Sequence, residues 1–138
     1  MIDYKQFEEF KQSIHKLDKG REEFIQSCVK ELSARLLAKV IKRTPVGVYN
    51  DGRVGGTLRR GWTAGENTEV KQRGDKYVIT ISNPVEYAPY VEFGHRTKNH
   101  KGWVNGKFML TISVAEINNI APTLLKKKLE DWLREVID

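Results

Sequence analysis

Tyr87-Ala88-Pro89-Tyr90-Val91-Glu92-Phe93-Gly94 packs three aromatic rings and a proline into eight residues and then stops on glycine. Pro89 suits the first position of a helix, where its missing N–H costs nothing. Gly94 suits the C-terminal stop, where a left-handed backbone is common. One or two helical turns are therefore predicted. Beyond Gly94 the chain opens into a stretch ending at Lys107 that carries Arg96, Lys98, Lys101, His95 and His100 and no acid. The pattern is that of a rigid platform carrying a mobile basic arm.

On the N-terminal side of this platform, Tyr77, Ile79 and Ile81 alternate with Val78, Thr80 and Ser82, which reads as a strand over 76–82. A partner strand over 62–72 is predicted across Arg73-Gly74-Asp75, giving an antiparallel hairpin that Asn83-Pro84 terminates. Residues 45–61 contain Gly47, Gly52, Gly55, Gly56 and Gly61 and cannot bury enough surface to be rigid alone, so a second mobile loop is expected.

The first third reads as helix. Phe7, Phe10, Ile14 and Leu17 recur at three- and four-residue spacing, and Phe24, Cys28, Leu32, Leu36 and Val40 continue the stripe. Asp3 with Gln6 resembles a capping box, and Ile2 with Phe7 a hydrophobic staple. A kink or short break is expected at Asp18-Lys19-Gly20, because mid-helix glycine costs about 1 kcal/mol relative to alanine. Thr44-Pro45 ends the helix. Asn105-Gly106 predicts a tight turn between Trp103-Val104 and Lys107-Phe108. Residues 108–120 fit a helix, with a strand as the competing reading. Pro122 opens a last helix with Leu125, Leu129, Trp132, Leu133 and Val136 on one stripe. The fold class that follows is α+β: a long N-terminal and a C-terminal helix packed on a small antiparallel sheet, with two long mobile loops.

The length of 138 residues fits one domain spanning 1–138. No apolar run is long enough to span a membrane, and the first residues lack the apolar stretch of a signal peptide. Cys28 has no second cysteine to pair with, which suggests a buried, reduced thiol in a cytoplasmic product. The net charge of +6 allows an anionic neighbour.

Catalytic and metal constellations are not evident. Ser13, Ser27, Ser33, Ser82 and Ser113 lie in no nucleophile elbow, and Cys28 has no histidine at helical spacing. One cysteine and three histidines hardly supply a zinc site. Gly52, Gly55 and Gly56 precede no Gly-Lys-Ser/Thr. Glu86 and Glu92 are expected to neutralise Arg96 or a neighbour. No enzyme activity and no cofactor are expected. Trp62, Tyr90, Phe93 and Trp103 lie near bases, as in single-strand binders, but they also fall where the predicted elements need core, and core packing is the reading taken.

The ordered motifs resemble a known family. A long helix ends in Thr44-Pro45-Val46, a glycine-rich loop closes on Gly56-Thr57-Leu58-Arg59-Arg60-Gly61-Trp62, and a hairpin leads to Tyr87–Gly94 with His95-Arg96. Gly102-Trp103-Val104-Asn105-Gly106-Lys107-Phe108-Met109-Leu110 and a C-terminal helix follow. This is similar to the small tail-completion and head–tail joining proteins of tailed bacteriophages, also called minor tail or neck proteins, of phage or prophage origin. Residues 47–55 make the first loop longer than is usual in that family.

The resemblance implies a non-enzymatic structural part of the head–tail junction, located in the virion and, during assembly, in the host cytoplasm. It implies a ring of six copies around the DNA channel, monomeric in isolation, with other neck, tail and head-completion proteins as partners and DNA passing non-specifically. Arg53, Leu58, Arg59, Arg60, Arg96, Lys98 and Lys101 are the expected assembly contacts. Tyr87, Pro89, Tyr90, Glu92, Phe93, Gly94, Trp62 and Trp103 form the expected structural motif. Tyr90 and Phe93 are expected to anchor the short helix on the sheet, with Phe93→Ala costing about 3–5 kcal/mol if the ring is buried. Glu92 is expected to tether a basic loop residue. The alternative function is a small basic nucleic-acid-binding protein, which salt dependence would reveal.

Overall fold

The computed structural model describes residues 4–64 and 69–137, so Asp3 and Ile2 of the expected cap lie outside the described residues. The element order is α1 (Tyr4–Arg43), α2 (Thr57–Ala64), β1 (Lys71–Arg73), β2 (Lys76–Val78), α3 (Ala88–Phe93), β3 (Gly94–Arg96), β4 (Trp103–Asn105) and α4 (Met109–Ile137). The fold is α+β, as expected, but the strands form two separate two-stranded antiparallel sheets. The long helices pack chiefly on each other.

Contacts between α1 and α4 run in opposite senses along the two chains, so the pair is antiparallel. Lys39 and Arg43 of α1 both meet Glu116, the lysine at 2.9 Å. Glu31 meets Lys128. Phe24 stacks on Trp132 with ring centroids 4.6 Å apart. Cys28 is buried in the apolar seam beside Leu125 and Leu129, and that burial pushes its thiol pKa up.

This seam explains two departures from the sequence reading. No break occurs at Gly20, because α1 runs unbroken from Tyr4 to Arg43. Trp132 lies across Gly20, and that packing outweighs a local cost of about 1 kcal/mol. Likewise Pro122 sits inside α4 and opens no new helix. Ile117 before it is buried and Leu125 after it lines the seam, so the helix continues through the proline. Ahead of the overlap with α4 the stripe is uncovered, and Phe7, Phe10 and Ile14 are exposed.

The core lies where the C-terminal end of α1 meets α2, α3 and the start of α4. Val40, Leu58, Trp62, Ala88 and Met109 are its buried members. Leu36, Ile41, Ile81, Val85 and Leu110 close around them.

Residues 57–64 are helix, where loop and strand were expected. The reason is Gly61: a Cβ there would stand 2.2 Å from Asn83 Oδ1 and 2.7 Å from Val85 Cγ2. The missing side chain lets the 83–85 segment lie directly on α2, and Asn83 Nδ2 donates to the Leu58 carbonyl at 2.8 Å. The hairpin forms around Gly74-Asp75 as expected but is short, pairing Lys71 with Val78 and Arg73 with Lys76. Residues 65–68 of its expected first strand lie outside the described residues.

Candidate assembly interface

Two constructions sit side by side at this end of the molecule. The first closes the end of α1. Thr44 is fully buried, and its hydroxyl donates to the Val40 carbonyl at 2.7 Å. The same oxygen accepts the Trp62 indole N–H at 2.7 Å. The Thr44 carbonyl, left unpaired by the helix end, accepts both Nε and Nη2 of Arg59, at 3.1 and 2.8 Å. Thus the Thr44-Pro45 and Arg59-Arg60-Gly61-Trp62 motifs, well apart in sequence, are one hydrogen-bonded junction.

The second construction is α3 and what crosses it. Pro89 lies in its first turn and Gly94 closes it at φ 92, its N–H donating to the Tyr90 carbonyl. This is the short helix and stop expected from the sequence. The next two orphan carbonyls are also satisfied: Lys107 N–H donates to Val91 O at 2.8 Å, and Phe108 N–H donates to Glu92 O at 3.1 Å. For residues 106–108 to approach so closely, position 106 must be glycine, since a Cβ would fall 2.4 Å from the Glu92 carbonyl. Asn105-Gly106 therefore marks a backbone crossing. The expected hairpin with Lys107-Phe108 does not form. Instead β4 pairs with β3, Gly94 facing Asn105 and Arg96 facing Trp103.

Glu92 is buried at 6% exposure. Its carboxylate accepts the Leu110 N–H at 2.7 Å and the Thr111 N–H at 3.3 Å. It caps the start of α4, where a negative group also meets the positive helix end. The expected tether to a basic loop residue is not made.

The stretch 94–107, expected as a mobile loop, is a hairpin with a fastened turn. Thr97 Oγ1 lies 2.7 Å from Asn99 Oδ1, which accepts the Lys101 N–H at 3.0 Å. Gly102 N–H donates to Thr97 Oγ1 at 3.1 Å.

While Ala88 and Glu92 face inward, the rings face outward. Tyr87, Tyr90, Phe93 and Trp103 are exposed, Phe93 by 63% and Trp103 by 59%. Core packing holds for Trp62 alone of the four rings weighed at first; Tyr90, Phe93 and Trp103 anchor nothing inside. The short helix is instead held by its backbone, by Glu92 and by Ala88 and Val91, which pack on the core. Phe93 meets Phe108 edge-on at 6.4 Å, and Tyr90 meets His95 at 6.1 Å. The result is a patch of rings bordered by the exposed bases Arg96, Lys98, Lys101 and Lys107.

The expected assembly contacts divide. Leu58 belongs to the core and Arg59 to the α1 cap. Arg60 donates to the Gly55 carbonyl at 3.0 Å. Arg53 pairs with Asp51 at 2.7 Å and lies over the Tyr49 ring, holding the 45–56 loop on itself and lowering the Asp51 pKa. Arg96, Lys98 and Lys101 remain on the surface, their side chains without an ion pair among the described residues. Thr44-Pro45 and Asn83-Pro84 were both read as stops, but the side-chain bonds of Thr44 and Asn83 that join these segments to α2 were not foreseen.

Among the described residues no group of three His, Cys, Asp or Glu could hold a metal ion, and no helix is long and apolar enough to cross a membrane.

Residues 8–94 match the family model HK97-gp10-like, described as "Bacteriophage HK97-gp10, putative tail-component". The chain belongs to this family of phage tail components. No curated protein and no solved structure matches it in the corresponding comparisons. The HK97-gp10-like span takes in the Thr44–Trp62 junction and all of α3, and ends on Gly94.

Proposed function

We propose that this tail component works at the head–tail junction, completing the tail and joining it to the filled head. Copies form a ring, six in the virion, around the channel through which DNA passes without sequence-specific contact. The part is non-enzymatic, and its partners are its own copies and other neck, tail and head-completion proteins. The observation that carries this reading is the ring patch of Tyr90, Phe93 and Trp103, exposed on a platform whose backbone is fixed. Large rings held outward on rigid backbone are the usual anchors of protein interfaces. Family membership supports the tail.

The same rings beside bases also suit a single-stranded nucleic acid, which makes DNA binding the competing reading. A phosphate-driven binder loses affinity linearly on a log–log salt plot. Electron microscopy of particles made without this gene tests the junction role. Filled heads and complete tails that stay apart, and join when purified protein is added, are expected. Fully joined particles without the gene would overturn it.

A further inference from the structure

The molecule carries an exposed basic and aromatic surface beside the start of α4 and an acidic groove near the end of α4. The first is the β3–β4 hairpin with the adjoining face of α3, where Trp103, Tyr90 and Phe93 are exposed beside Arg96, Lys98 and Lys101. The second is a groove of about 400 Å³ where α1 and α4 overlap, lined by the stacked Phe24 and Trp132. Its walls carry Glu23, Asp131 and Glu135 against one base, Lys128, which is already paired with Glu31.

A hairpin cannot reach the groove of its own chain. From Met109, beside the hairpin, to Asp131 is about 33 Å along α4 at about 1.5 Å per residue. The two surfaces complement each other in charge and both hold aromatic rings, yet they can meet only between molecules.

We infer that the β3–β4 hairpin of one copy seats in the Phe24–Trp132 groove of the next. This inference rests on the ring reading above and names the contact that would build the ring. The contact is heterologous, one surface meeting a different one, so each copy gives a hairpin and receives one. Repetition closes into a ring when the rotation per subunit is right. Ring-on-ring burial would hold the contact, while the charges would set orientation and salt sensitivity.

Charge reversal of the full chain provides the test. The hairpin variant is R96E/K98E/K101E and the groove variant is E23K/D131K/E135K. Each is checked for folding by circular dichroism and sedimented at low salt over a wide concentration range. For weak contacts, light and heavy-isotope chains are mixed and joined with a zero-length carbodiimide. Wild type is expected to associate and to yield mixed-isotope peptides linking Lys98 or Lys101 to Asp131 or Glu135. Each variant alone should lose at least tenfold in association, and an equimolar mixture of the two should recover it. Rings of wild type that persist in both variants would overturn the hairpin–groove contact while leaving the ring standing. No association and no cross-link in wild type would overturn the hairpin–groove contact, while a ring that forms only in the virion would still stand. Salt-dependent DNA binding lost in the hairpin variant, with self-association unchanged, would assign the surface to DNA instead.

Discussion

Around Thr44, an indole, a guanidinium and a hydroxyl are consumed by the chain itself: Trp62, Arg59 and Thr44 satisfy one another and close a helix. Around Phe93, much further along the chain, rings and bases of the same kinds are left exposed. The difference does not lie in residue type. At the first place a helix end supplies orphan carbonyls and a cavity for the indole. At the second the backbone satisfies itself, through Gly94, Lys107 and Phe108, and the Glu92 carboxylate does the remaining work. Side chains of α3 on the outer face are then not needed for folding. The chain thus places residues the fold uses close to residues the fold leaves exposed.

The largest break in this comparison is expected at the closed junction. Trp62→Ala should cost about 3–5 kcal/mol in urea unfolding, the range for a fully buried aromatic. Trp62→Phe keeps most of the volume and removes the bond to Thr44, so a loss of about 1–2 kcal/mol is expected. If the two substitutions cost the same, the hydrogen bond and not the packing holds the junction.

Glu92→Ala should cost about 2–3 kcal/mol, because two N–H groups at the start of α4 lose their acceptor. Glu92→Gln retains an acceptor oxygen and should cost roughly half as much. A loss within about 0.5 kcal/mol for Glu92→Ala, the size of an ordinary surface change, would remove the inward half of α3 from the account.

The helix pair gives a pH prediction. Arg43 first, and then Lys39, hold the Glu116 pKa down to about 2 from the ordinary 4.5. A carboxylate lowered on folding stabilises fully above its unfolded value. Its contribution therefore falls as pH drops from 4.5 and is gone below about 2. Glu116 is partly exposed, so salt weakens the effect. Glu116→Gln should flatten the acid side of the stability curve across this window, as measured by thermal melts at stepped pH. An unchanged acid limb would show the Arg43–Glu116–Lys39 bridge to be energetically idle.

The smallest effect on stability is expected on the outer face. Phe93→Ala should cost less than about 1 kcal/mol, far below the value its expected burial implied. The same substitution should weaken head–tail joining more than any of the junction variants that still fold.

The two long helices and the short platform were legible in the sequence because they depend on local signals: apolar spacing along α1 and α4, proline early in α3 and glycine after it. Direction of packing was not. Phe93 and Trp62 read alike as aromatic residues beside bases, and only the backbone crossing at Gly106 decides that one stays outside. Gly61 read as loop because glycine disfavours helix; the close approach of Asn83 that requires it comes from a distant segment. Gly20 and Pro122 read as breaks because local cost was visible and the partner helix was not. Glu92 had an evident charge and no evident partner, since a helix N-terminus offers only backbone. Of the expected contacts, Arg96, Lys98 and Lys101 are exposed as their charge suggested, whereas Leu58 and Arg59 turn inward because their partners lie at the end of α1.

The most direct test of the division between inner and outer residues uses the variant Y90S/F93S/W103S in a joining reaction with filled heads and tails lacking this protein. The account predicts a melting temperature within a few degrees of wild type and almost no joined particles by electron microscopy. A variant that melts normally and joins heads to tails at the wild-type yield would contradict it.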